Sequence, residues 1–319
     1  MEQYTIGVDL GGTTITAGLV DPNYHILYKL TCDTNLPRPE EEVEKSIAEL
    51  CRRVVKEFGV DWKQILWVGI GTPGSVDSVK GEVAFNANFG YVDWKLAEHM
   101  ETMLGCKVLI ENDANAAAYG EYLAGGASGV RMALAITVGT GIGSGIILDG
   151  KIYSGFNCAG AELGHMVIVK DGRQCMCGRR GCWEKYASAR ALTEDTKVAM
   201  KEHPDNMMWQ LVEGDLSKVN AKTAFDGMRA GDALATQLVN EFIEYLGCGL
   251  TNVINIFQPE IVCIGGGVSK EGETLLAPLR EYVDKNDYAR RGERRVTIKA
   301  AQLRNDAGVV GAACLGDQN

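Results

Sequence analysis

A short segment rich in cysteine and glycine constrains this chain more than any other feature. One histidine and three cysteines fall within residues 160–184, and the cysteines follow the spacing C-x-C-G-x-x-G-C. Three thiolates and one imidazole form a closed tetrahedral ligand set for Zn²⁺. The alternative is that the cysteines are free thiols buried as small apolar side chains. We expect a zinc knuckle with the ligands His165, Cys175, Cys177 and Cys182.

The expected zinc is structural, because four protein ligands leave no open position for a water molecule. His165 therefore cannot act as a general base while one of its ring nitrogens binds the metal. Its other nitrogen can still hydrogen-bond to a carboxylate or to a ligand hydroxyl. Glu162 and Glu184 flank the knuckle in sequence, which indicates a scaffold that fixes two carboxylates for a polar ligand.

Composition excludes several classes of protein. The 319 residues suffice for two domains, and a hydrophobic fraction of 46% is typical of a packed globular protein. There is no apolar run of about 18 residues and no signal-peptide pattern. We therefore expect a cytoplasmic protein with reduced thiols and no membrane partner. The formal net charge of −10 argues against a nucleic-acid partner.

Short apolar runs alternate with segments of helical periodicity, an order typical of an α/β fold. Residues 203–222 are polar and predict no regular structure. The predicted strands include residues 4–10, 15–20, 65–70, 107–110, 134–138, 146–148, 261–264 and 296–300, and the predicted helices are residues 40–59, 114–124, 187–200, 231–256 and 308–315.

Two segments share one pattern: an apolar run, a turn rich in glycine and threonine, and a second apolar run. They align at an offset of 128 residues, so that Asp9 matches Thr137 and Gly11 matches Gly139. Each predicts a β-hairpin. One such hairpin in each half indicates a duplicated α/β architecture with a ligand between the halves.

Both turns suit phosphate, because the amides and threonine hydroxyls of a turn built from small residues can approach phosphate oxygens closely. Asp9, at the end of the first strand, can hold Mg²⁺ directly or through water. The triple glycine at residues 265–267 follows a strand and can lie flat against an adenine ring. The alternative for each segment is an ordinary tight turn.

Two common nucleotide-binding motifs do not account for these turns. The Gly150-Lys151 pair is followed by Ile152 rather than by the Ser or Thr of a Walker A loop. The glycines of the second turn do not have the spacing of a Rossmann fingerprint. We therefore expect neither a P-loop enzyme nor a typical NAD dehydrogenase.

The segment E-N-D-A-N, residues 111–115, lies where a predicted strand ends and a predicted helix begins. Asp113 is well placed to accept a proton from a substrate hydroxyl. The alternative is that Asn112 or Asp113 is simply the helix N-cap. Phosphoryl transfer needs charge neutralisation and a group that orients the nucleophile. Asp9 with Mg²⁺ and Asp113 would supply these two functions.

The motifs D-L-G-G-T-T, G-T-P-G, E-N-D-A-N, G-T-G-I-G-S-G, G-A-E-L-G-H and C-x-C-G-x-x-G-C-x-E occur in this order. The series resembles the ROK family (repressor, open reading frame, kinase) of sugar kinases and sugar-responsive regulators, from about residue 4 to residue 315. Ala161 departs from the glycine often found at that position.

The resemblance implies a duplicated actin-like ATPase fold, related to ribonuclease H, and a homodimer or homotetramer. It also implies a smaller α/β domain of residues 1–115 plus about 303–319, and a larger α/β domain of residues 116–302 that contains the knuckle. The cofactors would be ATP, Mg²⁺ and structural Zn²⁺.

The resemblance also assigns site residues, and Asp113 would be the catalytic base. The sugar contacts would be Gly71, Asn88, Asn112, Asp113, Glu162, His165 and Glu184. The nucleotide contacts would be Asp9, Gly11, Gly12, Thr13, Thr14, Thr137, Gly139, Thr140, Gly265 and Gly266.

The activity implied is ATP-dependent phosphorylation of a hexose, with D-glucose converted to glucose 6-phosphate. Kinases of N-acetylmannosamine, N-acetylglucosamine or fructose share the same motifs and stay open as alternatives. A sugar-sensing transcriptional regulator would carry a helix-turn-helix, whereas only about three residues precede the first predicted strand here. A catalytically silent sugar-binding protein is disfavoured by the presence of both Asp9 and Asp113.

Overall fold

The computed structural model describes residues 2–86 and 89–318. Its strands are β1 (Tyr4–Leu10), β2 (Thr14–Val20), β3 (Ile26–Asp33), β4 (Ile65–Thr72), β5 (Ser75–Asp77), β6 (Glu82–Asn86), β7 (Tyr91–Trp94), β8 (Lys107–Asn112), β9 (Met132–Val138), β10 (Ile142–Leu148), β11 (Lys151–Ile152), β12 (Ile261–Gly265) and β13 (Thr297–Ala300). Its α-helices are α1 (Glu40–Phe58), α2 (Leu96–Leu104), α3 (Asp113–Ala124), α4 (Glu184–Ala187), α5 (Ala189–Glu202), α6 (Met208–Leu211), α7 (Ala221–Arg229), α8 (Ala233–Phe257), α9 (Glu273–Asn286) and α10 (Ala307–Ala313).

The chain forms two compact units. Among the described residues, the first unit contains everything up to Ala135, then Gly145–Ala161, and everything from Gln302 onward. The second unit consists of Ile136–Ser144 and Glu162–Ala301. The division therefore differs from the expected boundary after residue 115, and the first unit, expected to be the smaller, contains more residues than the second.

The first unit contains a five-stranded sheet in the order β3-β2-β1-β4-β8. Strands β1, β4 and β8 run parallel, so their carboxyl ends lie at one edge. The register places Asp9 beside Gly71, and Gly71 beside Glu111. This pairing brings three sequence motifs to one sheet edge, the position where open α/β sheets bind ligands.

Glycines let helix α10 pack directly on this sheet. A Cβ atom on Gly69 of β4 would lie 1.7 Å from the carbonyl oxygen of Ala312. A Cβ atom on Gly311 would lie 1.7 Å from the carbonyl oxygen of Ala116 in α3. Because α3 and α10 pack backbone against backbone, α3 belongs to the first unit rather than to the second.

Residues 69–74 also have the spacing G-x-G-x-x-G. Gly69 and Gly71 lie within β4, and strand β5 follows Gly74 directly. A dinucleotide fingerprint needs a strand followed by a helix. The segment is therefore not a Rossmann motif.

A second sheet has the order β11-β10-β9-β12-β13, in which β12 and β13 are parallel. A third, antiparallel sheet of β5, β6 and β7 was not expected, because its strands are short.

Helices α6 and α7 were also not predicted. Helix α6 and the start of α7 lie in residues 203–222, for which the sequence predicted no regular structure. Helix α7 begins with a capping box formed by Asn220 and Thr223. In the described part of the chain, no helix is long and apolar enough to cross a membrane.

Candidate active site

Asp9 lies at the carboxyl edge of the first sheet, near the start of α10. A Cβ atom on Gly308 would lie 2.9 Å from the Asp9 carboxyl carbon. Burial raises the pKa of Asp9 to about 6, and the negative charge of Asp113 adds to the effect. A buried carboxylate whose ionised form is disfavoured gains most from a nearby cation. Asp9 is therefore chemically suited to Mg²⁺.

Asp113 is the first residue of α3, and it does not serve as the helix cap. The side chain of Asn112 accepts hydrogen bonds from the backbone amides of Ala114, at 2.9 Å, and Asn115, at 3.2 Å. Burial raises the pKa of Asp113, although a hydrogen bond from the Ala114 amide partly opposes this. A carboxylate with a raised pKa is a stronger base at neutral pH.

The end of β4 and the two residues that follow it, residues 71–74, lie against the start of α3. A Cβ atom on Gly71 would lie 3.6 Å from the Cα of Asp113. The side-chain amide of Asn112 donates a hydrogen bond to the carbonyl oxygen of Gly74 at 3.1 Å. The structure thus brings Gly71, Asn112 and Asp113 together. Asn88, the other sugar contact expected in this part of the chain, lies outside the described residues.

The turn formed by Gly11, Gly12, Thr13 and Thr14 closes with a hydrogen bond from the Gly11 amide to the Thr14 carbonyl at 2.9 Å. Gly12, Thr13 and Thr14 are exposed, as a phosphate-binding turn requires. Thr34, which the sequence did not single out, is fully buried and braces the turn. Its hydroxyl donates to the Gly11 carbonyl and its amide to the Thr13 carbonyl, both at 2.7 Å.

Glu111 is a second residue, after Thr34, whose role the sequence did not indicate. Its side chain is buried, and Oε1 accepts hydrogen bonds from the Asn112 backbone amide at 2.8 Å and the Asn115 side chain at 3.0 Å. Burial raises the pKa of Glu111, and these bonds partly oppose the rise. Glu111 therefore supports the turn that presents Asp113. Its place in the E-N-D-A-N motif is the signal that could have found it.

The second unit brings the expected zinc ligands together. The ligand atoms of the four side chains all lie within 4.8 Å of one another. The Cys175 sulfur is 3.6 Å from Nδ1 of His165, and the sulfurs of Cys177 and Cys182 are also 3.6 Å apart. Tetrahedral zinc with bonds of about 2.0–2.3 Å requires ligand separations of this order. The donor set and its spacing therefore fit Zn²⁺.

Glu184 links this knuckle to the glycine turn of the second hairpin. Its Oε1 atom lies 3.1 Å from the Cys175 sulfur and 3.9 Å from Nδ1 of His165. A Cβ atom on Gly141 would lie 2.6 Å from the other carboxylate oxygen. Glu162 precedes a 3₁₀ turn, Leu163–His165, and its carbonyl accepts from the His165 amide.

The expected nucleotide residues of the second unit also adjoin one another. A Cβ atom on Gly265 would lie 3.6 Å from the Thr137 methyl group, and one on Gly266 would lie 2.4 Å from the Val138 carbonyl oxygen. The Gly139 carbonyl accepts from the amide of Ala189 at 2.8 Å. A cavity of about 740 Å³, within the usual size range of ligand sites, borders these turns. Its lining includes Thr140, Ala189, Arg190, Gly267, Val268 and Lys270.

The fold and these two groups of residues define an α/β protein with acidic side chains at a parallel strand edge and a Cys₃His knuckle in a second unit. The chain belongs to the ROK family, whose family model matches residues 5–319.

Individual relatives are similar over nearly their whole length. The glucokinase of Thermotoga maritima is 40% identical, over 97% of this chain and 96% of that protein. A ROK family glucokinase from Streptomyces griseus, solved in complex with glucose and AMPPNP, is 38% identical with a TM-score of 0.81, over 99% of this chain and 100% of that one. A ROK hexokinase from Thermus thermophilus is 33% identical with a TM-score of 0.81, over 98% and 97% of the two chains. The prediction of the actin-like ATPase fold is confirmed by these similarities.

Proposed function

We propose that this protein transfers a phosphoryl group from ATP to the 6-hydroxyl of D-glucose. The observation that carries the proposal is the arrangement at the start of α3, where Asn112 caps the helix and leaves the half-buried Asp113 carboxylate available as a base. The Thermotoga maritima glucokinase and the Streptomyces griseus structure with glucose and AMPPNP support the choice of substrates.

In the proposed reaction, Asp113 accepts the proton of the glucose hydroxyl as the hydroxyl oxygen attacks the γ-phosphorus of ATP, and ADP leaves. The raised pKa of Asp113 matches this role, because a base works best when its pKa approaches the working pH. Asn112 and Gly71 lie beside Asp113 and are proposed to hold the sugar there. Glu162, His165 and Glu184 complete the proposed sugar-binding set.

The turn at residues 11–14 and the turn containing Thr137, Gly139 and Thr140 are proposed to bind the phosphates of ATP. The cavity beside Thr140 and Gly267 has the volume to hold a nucleoside. Gly265 and Gly266 belong to the same proposed nucleotide site. Asp9 would hold Mg²⁺, which neutralises phosphate charge when it is bound.

The four knuckle residues would hold Zn²⁺, which supplies structural cross-linking when it is bound. What the chain itself provides is the placement of His165 and Glu184 next to each other beside Cys175. Fixing these two side chains would orient a carboxylate and an imidazole toward sugar hydroxyls, which both donate and accept hydrogen bonds.

The substrate is tested by coupled ADP release with glucose, mannose, fructose, N-acetylglucosamine and N-acetylmannosamine, each at subsaturating concentration. We expect glucose to give the highest kcat/KM. A site that hydrogen-bonds a hydroxyl discriminates strongly against an analogue that lacks it. If an N-acetyl sugar or fructose reacts faster than glucose, the choice of glucose is wrong but hexose phosphorylation stands. If no sugar releases ADP, the proposed activity is wrong.

We also propose a homodimer or homotetramer in the cytoplasm. All ten cysteines lie in the described part of the chain and none of them forms a disulfide bond, which suits a reducing compartment. Light scattering after size exclusion would measure the mass of the assembly against the 34.5 kDa chain. A monomer would contradict the proposed assembly and would leave the proposed activity untouched.

A further inference from the structure

Asn86, the last residue of β6, is fully buried and bonds to two different segments of the first unit. Its side-chain amide donates to the carbonyl oxygen of Pro73 at 2.6 Å. Its side-chain oxygen accepts from the backbone amide of Phe89 at 3.2 Å. Gly71 stands two residues before Pro73, and Asn88 directly precedes Phe89. Both were assigned to the sugar by resemblance, whereas Asn86 was not.

The segments that Asn86 joins are in backbone contact. Gly74 has a φ of 110°, and a Cβ atom there would lie 2.5 Å from the Phe85 carbonyl oxygen. The Gly74 carbonyl in turn accepts from the side chain of Asn112, the residue before the proposed base. A continuous series of contacts therefore runs from Asn86, through Pro73 and Gly74, to the start of α3.

An amide is the side chain that fits this position, because it must donate on one side and accept on the other. An aspartate has the same shape but cannot donate to the Pro73 carbonyl, and it would place a buried charge against that oxygen. An alanine would leave a buried carbonyl and a buried amide without these partners.

We infer that Asn86 is a positioning residue for the hexose. It holds the backbone at residues 73–74 and at Phe89 in the geometry that presents the sugar-binding groups, without itself being a proposed contact. Fixing binding groups before the ligand arrives lowers the cost of binding. This inference rests on the proposed hexose-binding function and extends it to a residue outside the family motifs used above.

The test compares Asn86→Ala and Asn86→Asp with the wild-type protein. We expect the KM and the calorimetric Kd for glucose to rise about tenfold or more in both variants, while the KM for ATP changes less than about twofold. Asn86→Ser, whose hydroxyl donates and accepts but has a shorter reach, should fall between wild type and Asn86→Ala.

Thr196→Val provides a matched control. Thr196 is also fully buried, and its hydroxyl donates to the Leu192 carbonyl at 2.6 Å within the second unit. This variant should lower the melting temperature, as the Asn86 variants do, but leave the glucose KM unchanged. A purely structural role for Asn86 would give the same result at both positions.

The inference is overturned if folded Asn86→Ala or Asn86→Asp binds glucose within about twofold of wild type. If neither of these variants folds, Asn86→Ser decides the question, and a glucose Kd equal to that of wild type overturns the inference. Calorimetry on the wild-type protein distinguishes failure of the proposed phosphorylation from failure of the proposed role of Asn86. Glucose binding without ADP release would contradict the proposed reaction alone, and the Asn86 variants would still be judged by their Kd. Absence of hexose binding would overturn both.

Discussion

Asn112 caps the helix whose first residue is Asp113. The cap is formed by the Asn112 side-chain oxygen, which accepts from the amides of Ala114 and Asn115. Sequence reasoning left open whether Asp113 serves as a helix cap or as a base, because either residue can cap a helix. The structure shows that Asn112 is the cap. The Asp113 carboxylate is therefore available to act as the proposed base.

Asp113→Asn should therefore lower kcat by about 10²–10⁴-fold while glucose binding is largely kept, because the amide has the same size but cannot accept the proton. Initial rates and calorimetry on one preparation would measure both. Asp205→Asn, at an exposed position, serves as the control. A variant at Asp113 that retains more than half of the wild-type kcat would exclude it as the base.

Asn112→Ala should lower the free energy of unfolding by about 1 kcal/mol, because α3 loses its N-cap. Asn112→Ser restores a capping oxygen but not the amide that donates to the Gly74 carbonyl. We expect the serine variant to be nearly as stable as wild type, yet to have a raised glucose KM. Urea unfolding gives the stability. Equal stability of the alanine and serine variants would argue against the cap as the stabilising element.

The raised pKa of Asp9 predicts how stability depends on pH. Its value is about 6 in the folded protein, against an ordinary 3.8, so the folded protein binds this proton more tightly than the unfolded chain does. The resulting stabilisation is complete below about pH 3.8 and is lost as the pH rises through about 6. Stability of the Mg²⁺-free protein should therefore contain a falling component across this window.

Asp9→Asn should abolish that component and, by the same pKa difference, stabilise the protein at pH 7 by about 3 kcal/mol. It should also lose kinase activity, because the carboxylate proposed to hold Mg²⁺ is gone. Urea unfolding in Mg²⁺-free buffer from pH 4 to pH 8 measures the first effect. If the Asn variant is less stable than wild type at pH 7, ionised Asp9 does not destabilise the folded protein and the prediction is wrong.

Metal analysis should find one Zn²⁺ per chain in the wild-type protein and in Cys32→Ala, a cysteine outside the knuckle. Cys177→Ala should lose the metal and have a lower melting temperature, because the free energy of metal binding contributes to folding. Its glucose affinity should fall as well, since His165 and Glu184 lose their anchor. A fully active wild-type enzyme without zinc would refute the structural role.

Gly69→Ala should destabilise the protein by about 3 kcal/mol or fold poorly, because its methyl group would meet the backbone of α10 at 1.7 Å. Gly12→Ala is the stability control, since a Cβ atom at this exposed glycine meets nothing within 4 Å. Thermal unfolding of both variants measures the difference. Similar melting temperatures would show that α10 can move away from the sheet at little cost.

The sequence by itself determined the local features of this protein. The spacing of the knuckle residues identified a ligand set that the folded chain does bring together. The E-N-D-A-N segment was placed at a strand-to-helix junction, where the structure has it. Such predictions succeed because a few neighbouring residues suffice to set turn geometry, helix periodicity or the spacing of metal ligands.

The tertiary structure alone decided the contacts between distant segments. Thr34 bonds to the Gly11 turn, 23 residues earlier in the chain, and Asn86 bonds to Pro73, 13 residues earlier. The glycine contacts between α3 and α10 likewise place α3 in the first unit, beyond the expected boundary after residue 115. Hydrogen bonds and close packing of this kind depend on the course of the backbone between the two partner residues. A spacing rule describes residues that are close in sequence, so it cannot predict which distant segments come into contact.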